Sequence, residues 1–262
     1  MLPELFRLGP IPIRSFGLMV VLGTLAALWM GIRRAKRFRI PGEGLVELAF
    51  WMVLIGIIGA RLVYVALEWK SYSQNPWAIF KFYEGGITSF GGILFGLLTM
   101  AIWSRRAKIS FVRVLDLAAA PVLVAFGIGR IGCFLNGCCH GGPCELPIAV
   151  HFPNVPYAAH PAQLYDTAMN WIGAAILLWI ERRSLVNGLV SLSAGMLAAL
   201  GFVFFGVSRF IYEIFRIGAS SEPVVQGASV TSAQLAAIFM VAFGLLWLLR
   251  LQWKRTATAH LE

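Results

Sequence analysis

The sequence predicts an all-α fold: a polytopic integral membrane protein with seven transmembrane helices, its N-terminus outside and its C-terminus cytoplasmic. Three observations carry this expectation. Of the 262 residues, 59% are hydrophobic and 13% are charged, whereas soluble domains run nearer 45–50% apolar with about a quarter charged. Long stretches without Asp, Glu, Lys or Arg include 15–32, 85–104, 184–208 and 223–249, of 18, 20, 25 and 27 residues. About 20 mainly apolar residues let a helix cross a bilayer core. Third, the basic residues gather in alternate connections. The composition excludes a disordered chain and argues against a soluble globular domain. A formal charge of +10 would otherwise raise nucleic acid as a partner. In a membrane protein it marks loops beside anionic lipid, so no nucleic acid is expected.

Along the chain the expected spans are about 13–32, 45–68, 89–104, 112–130, 163–181, 187–207 and 231–251. The opening MLPELFRLGPIPIR lacks the basic n-region and small-residue cleavage site of a signal peptide. Residues 1–10 are expected to lie along the interface, with Leu2, Leu5, Phe6 and Leu8 as the apolar part. The first connection holds Arg33, Arg34, Lys36, Arg37 and Arg39. The third holds Arg105, Arg106, Lys108 and Arg113, and the fifth Arg182 and Arg183. Arg250, Lys254 and Arg255 close the chain. Fourteen of the 22 basic residues thus fall on one side, which the positive-inside rule makes cytoplasmic. The outer connections are then about 69–88, 131–162 and 208–230. The longest, 131–162, has no Lys or Arg, one acid (Glu145), and many Gly, Pro, His and Cys. No internal repeat or second domain stands out, so 1–262 reads as a single domain.

A charge near the bilayer centre costs roughly 2.5–3.5 kcal/mol on insertion scales, which makes intramembrane ionisable residues functional candidates. Arg61 follows GIIGA, and Arg130 follows APVLVAFGIG. Arg209 and Glu213 lie four apart in VSRFIYEIFR, with Arg216 three further on, so all three share one helical face. Taken singly, each arginine is explained as well by snorkelling or an ion pair as by function. Four of them at outer span ends point to an anionic lipid headgroup, because guanidinium binds phosphate bidentately. Asp116, near the inner end of the fourth span, is expected to pair with Arg113 or Arg106 in a structural role. GGITSFGG (85–92), which ends on Gly91 and Gly92, and Gly127, Gly129, Gly132 and Gly137 around Arg130 permit close helix approach. Packing is the simpler account of each pair; a glycine-lined polar cavity is the sharper one beside arginine.

All four cysteines fall in CFLNGCCHGGPC: Cys133, Cys138, Cys139 and Cys144, with His140 among them. There is no CxxC pair and no second ligand pair at zinc spacing, so no metal site is expected. A vicinal Cys138–Cys139 bridge would be strained. Free thiols come first, then a structural disulfide using Cys144, then a metal or redox role.

The ordered motifs resemble the prolipoprotein diacylglyceryl transferase family. They are GARLVY (59–64), the GG-four-residue-GG element (85–92), GRIGCFLNG (129–137), HPAQLYD (160–166) and RFIYEIFR (209–216), and they cover nearly the whole chain. The resemblance implies a multi-pass enzyme of the bacterial cytoplasmic (inner) membrane, with its active site toward the periplasmic side; a monomer is expected. Such enzymes transfer the diacylglyceryl group of phosphatidylglycerol to the lipobox cysteine of a prolipoprotein that still carries its signal peptide. A thioether forms and glycerol phosphate leaves, with no metal or soluble cofactor. The resemblance links Arg130 and Arg209 to lipid binding and activity, and places Glu213 and Arg216 in the same region. Arg61, Gly91, Gly92, Asn136, His160, Gln163 and Tyr165 are the further substrate-binding candidates.

The residues support that chemistry on their own. Sulfur attack on a glycerol carbon expels a phosphate monoester, and cationic donors are needed where charge gathers on the leaving oxygen. The acceptor thiol must also lose its proton. The chain departs from the family pattern at Phe90, where a catalytic histidine is common, and at Cys133, usually asparagine. It departs also at Cys138, often an acid, and at Phe16, expected to be tyrosine. The base is therefore sought among His140, His151, His160 and Glu213, with His140 the candidate carried forward. His160, beside Pro161, serves as readily to anchor the fifth span, and Gln163 and Tyr165 to tie helices together. Two alternatives stay open: a paralogue that binds phospholipid or lipoprotein without transfer, and a thiol–disulfide membrane enzyme. A transporter is disfavoured by the lack of paired broken spans.

Overall fold

The computed structural model describes residues 1–8, 11–81, 86, 88–187, 193–216 and 230–259. The fold is 76% helix. The helices are α1 Ser15–Ala35, α2 Gly42–Leu67, α3 Trp69–Tyr72, α4 Ser89–Arg106, α5 Phe111–Asn136, α6 Ala162–Asn187, α7 Met196–Phe215 and α8 Ser232–Ala259. Two small antiparallel sheets accompany them, β1 (Glu4–Leu8) with β2 (Ile11–Arg14) and β3 (Val150–His151) with β4 (Ala158–Ala159).

Among the described residues, five helical stretches are long and apolar enough to cross a membrane: Ser15–Phe38, Gly42–Leu67, Phe111–Asn136, Met196–Phe215 and Ser232–Lys254. They correspond to the first, second, fourth, sixth and seventh expected spans. The two others differ for separate reasons. Helix α4 is 18 residues long and ends on Arg105 and Arg106. Helix α6 carries Asp166, Asn170 and Glu181, all buried, so its polar residues turn inward and dilute its apolar character. Large apolar side chains stand exposed along the helices, among them Phe50, Phe239, Leu246 and Trp253. An aqueous surface rarely exposes such an array, whereas hydrocarbon solvates it. The protein is a multi-pass membrane protein.

Several expected boundaries move. Within residues 1–14, β1 and β2 pair antiparallel; Leu2 N–H donates to Leu135 O (3.0 Å) and Ser15 N–H to Pro3 O (3.1 Å). Helix α5 continues to Asn136, past the expected end of its span. Residues 208–215, expected to lie in an outer connection, complete α7; 217–229 lie outside the described residues. The expected connection 69–88 contains α3 and a 3-10 turn, Pro76–Phe80.

The chain divides into two compact units, Gly31–Val114 and Met1–Met30 with Leu115–Glu262. Within the first, α2 packs on α4 at glycines. A Cβ on Gly91 would stand 2.5 Å from Gly59 O, so only hydrogen fits there. Thr88 caps α4: its hydroxyl accepts from Gly91 N–H (3.3 Å) while its own N–H donates to Ala60 O (3.1 Å). Within the second unit, α1 meets α5 at Gly23 and Gly132, and α7 meets α8 at Gly206 and Gly244. Asp116 is bound otherwise than the sequence suggested. Its carboxylate accepts from Gly195 N–H (2.6 Å) and Ala198 N–H (2.8 Å). It caps the N-terminus of α7, where orphan donors and the helix dipole favour an anion.

Candidate active site

Two helices of the larger unit meet at one phenol ring. Helix α5 brings Arg130. Helix α7 brings Arg209, Tyr212 and Glu213, with Arg216 at its C-cap, and the helical spacing sets 209, 212, 213 and 216 on one face. Tyr212 is fully buried. The guanidinium carbon of Arg130 lies 4.4 Å from its ring centroid, that of Arg209 4.9 Å and that of Arg216 5.8 Å. Arg130 also packs 4.9 Å over Phe126. An aromatic face is one of the few apolar surfaces that attracts a cation.

Two carboxylates face these three cations. Arg130 Nε is 2.7 Å from Asp166 Oδ2 on α6. The other oxygen, Oδ1, accepts from Ser208 Oγ (2.6 Å) and Asn170 Nδ2 (2.7 Å). Glu213 Oε2 lies 3.2 Å from Arg209 and 3.8 Å from Arg216. Among the described residues, three positive groups against two negative ones leave one formal positive charge in a largely desolvated setting, where a net charge calls for an anion. Arg216 Nε is buried with no hydrogen-bond partner among the described residues.

The connection 137–161 folds over this end of the unit. Tyr212 Oη donates to Cys139 O (3.1 Å) and Gln163 Nε2 to Cys138 O (2.6 Å). Gly142 N–H donates to Phe215 O (2.9 Å), and Gly141 N–H to His160 O (2.9 Å). A side chain at Gly141 would meet His160 Cβ at 2.6 Å and Phe215 O at 2.7 Å. His140 Nδ1 is 2.9 Å from Gly141 O, and the ring packs 5.1 Å from Phe152. A carbonyl only accepts, so Nδ1 carries the proton and Nε2 holds the lone pair of the neutral imidazole. Hydrogen bonds with Cys133 and then Cys139 hold the Cys138 thiol below the usual thiol range.

The family model described as prolipoprotein diacylglyceryl transferase matches residues 3–250. The chain belongs to the prolipoprotein diacylglyceryl transferase family. Three relatives share the name phosphatidylglycerol–prolipoprotein diacylglyceryl transferase. That of Clostridium tetani is 31% identical over 250 residues, 94% of this chain and 96% of its own length. That of Lysinibacillus sphaericus is 32% identical over 255 residues, 93% and 89%. That of Synechococcus elongatus is 31% identical over 254 residues, 94% and 86%.

In this diacylglyceryl transferase family member, the structure brings Arg130, Arg209, Glu213 and Arg216 together around Tyr212. It also ties Gln163 to the folded-over connection. His160 Nδ1 lies 3.2 Å from Tyr165 Oη, and both rings pack on Phe215 at 5.3 Å, an anchoring arrangement. Asn136 ends α5 and, with Leu2, Pro3, Glu4, Arg7 and Arg14, lines a cleft of about 460 Å³ that none of the three clustered arginines reaches. Arg61, Gly91 and Gly92 belong to the other unit. Arg61 is buried, and its guanidinium donates to the carbonyls of Ala78 (2.7 Å), Gly86 (2.9 Å), Ile79 (3.0 Å) and Lys81 (3.3 Å). Its charge holds residues 78–81 together with Gly86.

Four site residues escaped the sequence reading: Tyr212, Asp166, Asn170 and Ser208. Two had a signal. Tyr212 lies three residues after Arg209 and beside Glu213, on the face already singled out. Asp166 is a charge inside an expected span, the criterion that found Arg130. Asn170 and Ser208 had none, since uncharged polar residues are common in packed membrane helices.

Proposed function

We propose that the protein transfers the diacylglyceryl group of phosphatidylglycerol to the lipobox cysteine of prolipoproteins. The observation that carries this reading is the group of three guanidiniums around Tyr212 with one positive charge left over, suited to a phosphate diester that becomes a dianionic monoester. The acceptor sulfur, as thiolate, attacks the terminal glycerol carbon. A C–S bond forms, the C–O bond breaks, its electron pair stays on the phosphate oxygen, and glycerol phosphate departs.

Arg130 and Arg209 donate to the phosphate oxygens as that charge develops, and Arg216 holds the headgroup. Glu213 keeps Arg209 and Arg216 in register, and Asp166 orients Arg130. His140 receives the thiol proton at Nε2. Asn136, His160, Gln163 and Tyr165 shape the acceptor side, and Arg61, Gly91 and Gly92 the lipid-contacting part of their own unit. Helices α4 and α6 complete seven spans of a single-domain monomer. The alternation of basic connections supports an outer N-terminus, a cytoplasmic C-terminus and a site on the outer side of the bacterial inner membrane.

The test combines purified protein, phosphatidylglycerol vesicles and a lipobox peptide, with the thioether adduct read by mass. Arg130→Ala and Arg209→Ala are each expected to slow adduct formation about 10²–10³-fold, the usual loss for one transition-state donor. Absence of adduct with the wild-type protein, or wild-type rates in both variants, overturns the reading.

A further inference from the structure

We propose that Cys133, Cys138 and Cys139 form a three-sulfur binding site for a soft monovalent cation, with Cu(I) as the natural occupant. Their Sγ atoms all lie within 4.8 Å of one another, and those of Cys138 and Cys139 are 3.6 Å apart. An ion bound at about 2.3 Å from each sulfur, the length typical of a metal–thiolate bond, sets its three sulfurs about 4 Å apart. The thiols are therefore close to ligating positions before any ion arrives.

The backbone builds this convergence. Cys133 sits on the last turn of α5. Gly137 at φ 73° ends the helix, with Gly137 N–H donating to Phe134 O (3.1 Å) and Cys138 N–H to Cys133 O (3.1 Å). Cys139 is held at φ 63°, a left-handed conformation that is costly for a residue with a Cβ. The carbonyls of Cys138 and Cys139 are fastened to Gln163 and Tyr212. A non-glycine residue kept in this region by surrounding bonds is the kind of strain that collects at ligand sites.

The donor set selects the ion. Three sulfurs and no nitrogen or carboxylate make up the group, which favours soft cations. Structural zinc is almost always four-coordinate, whereas three thiolates suit three-coordinate Cu(I). Each thiol gives up its proton on binding, leaving a net negative cluster. Arg130 acts electrostatically on Cys133 and Cys139, and Arg216 on Cys139, so positive charge is in place to balance it. The site adjoins the transfer site through Tyr212 and shares the positive charge of Arg130 and Arg216 with it.

The test uses the full-length protein in detergent under anaerobic reducing conditions, with Cu(I) titrated against a colorimetric chelator. One equivalent is expected to leave the chelator for the protein. Cys133→Ser, Cys138→Ser and Cys139→Ser should each weaken binding at least tenfold, and Cys144→Ser should leave it unchanged. X-ray absorption on the loaded wild-type protein, which needs no variant to fold, should count three sulfurs at about 2.3 Å. Equal binding by the three cluster variants, equal loss in Cys144→Ser, or a nitrogen–oxygen coordination shell overturns the proposal.

Discussion

The guanidinium of Arg130 on α5 stacks 4.4 Å from the ring centroid of Tyr212 on α7, across a sequence separation of 82. The same ring receives Arg209 and Arg216. Tyr212 is thus the common surface on which three like charges are held near one another without being driven apart.

Tyr212→Phe keeps that surface and loses the hydroxyl, which donates to Cys139 O (3.1 Å) and accepts from Arg130 Nη1 at 3.5 Å; the bond to the carbonyl is worth about 1 kcal/mol. Less than a tenfold drop in the rate of thioether formation is expected. Tyr212→Leu removes the aromatic face from every guanidinium at once. At about 0.5–2 kcal/mol per cation–π contact, the expected loss is about 10²-fold. Equal rates in the two variants would show that the ring is not what positions the arginines.

Breaking the Arg130–Asp166 pair from one side strands a buried charge. Asp166→Ala is expected to lower unfolding stability in detergent by about 3–5 kcal/mol, and Ser208→Ala, which removes one bond to the same carboxylate, by about 1 kcal/mol. Replacing both partners, Arg130→Met with Asp166→Ala, should recover most of the stability, because no uncompensated charge remains. It should not recover transfer. Thermal unfolding and the adduct assay on the same samples separate the two roles.

Adjacent glycines of α4 make opposite predictions. In Gly91→Ala the new methyl meets Gly59 O at 2.5 Å and Ala60 Cα at 2.9 Å, both backbone, so α2 and α4 must part. A cost of about 1–3 kcal/mol follows. In Gly92→Ala the nearest atoms are 3.7 Å or more away, ordinary contact, and alanine favours the helix by up to about 1 kcal/mol. The unfolding midpoint should fall for the first and hold or rise for the second.

Asp116→Ala removes the acceptor of two amides at the start of α7. A loss of about 2 kcal/mol is expected, the upper range for an N-terminal cap, with Arg113→Ala nearly neutral. Hydrogen exchange localises it: faster exchange of the Gly195 and Ala198 amides supports the cap, and unchanged exchange rules it out.

What the chain reveals without coordinates is whatever local order encodes. Uncharged runs announce membrane helices because hydrocarbon penalises charge wherever it occurs, and five helices long and apolar enough to cross stand among the described residues. Helical periodicity placed Arg209, Glu213 and Arg216 on one face because they are close in sequence, and the motifs identified the family. Other relationships needed the tertiary structure. Asp116 was assigned to nearby arginines but caps a helix about 80 positions away. Arg61 gathers four carbonyls from residues 17 to 25 positions away. Asp166 gains its partner only when α6 lies against α5, and Tyr212 its role only when Arg130 crosses from α5. Each depends on which helices touch, and contacts between distant segments leave no period in a single sequence. The sequence alone determined the kind of protein and which side chains are chemically unusual; the packing of α5, α6 and α7 decided which of them meet.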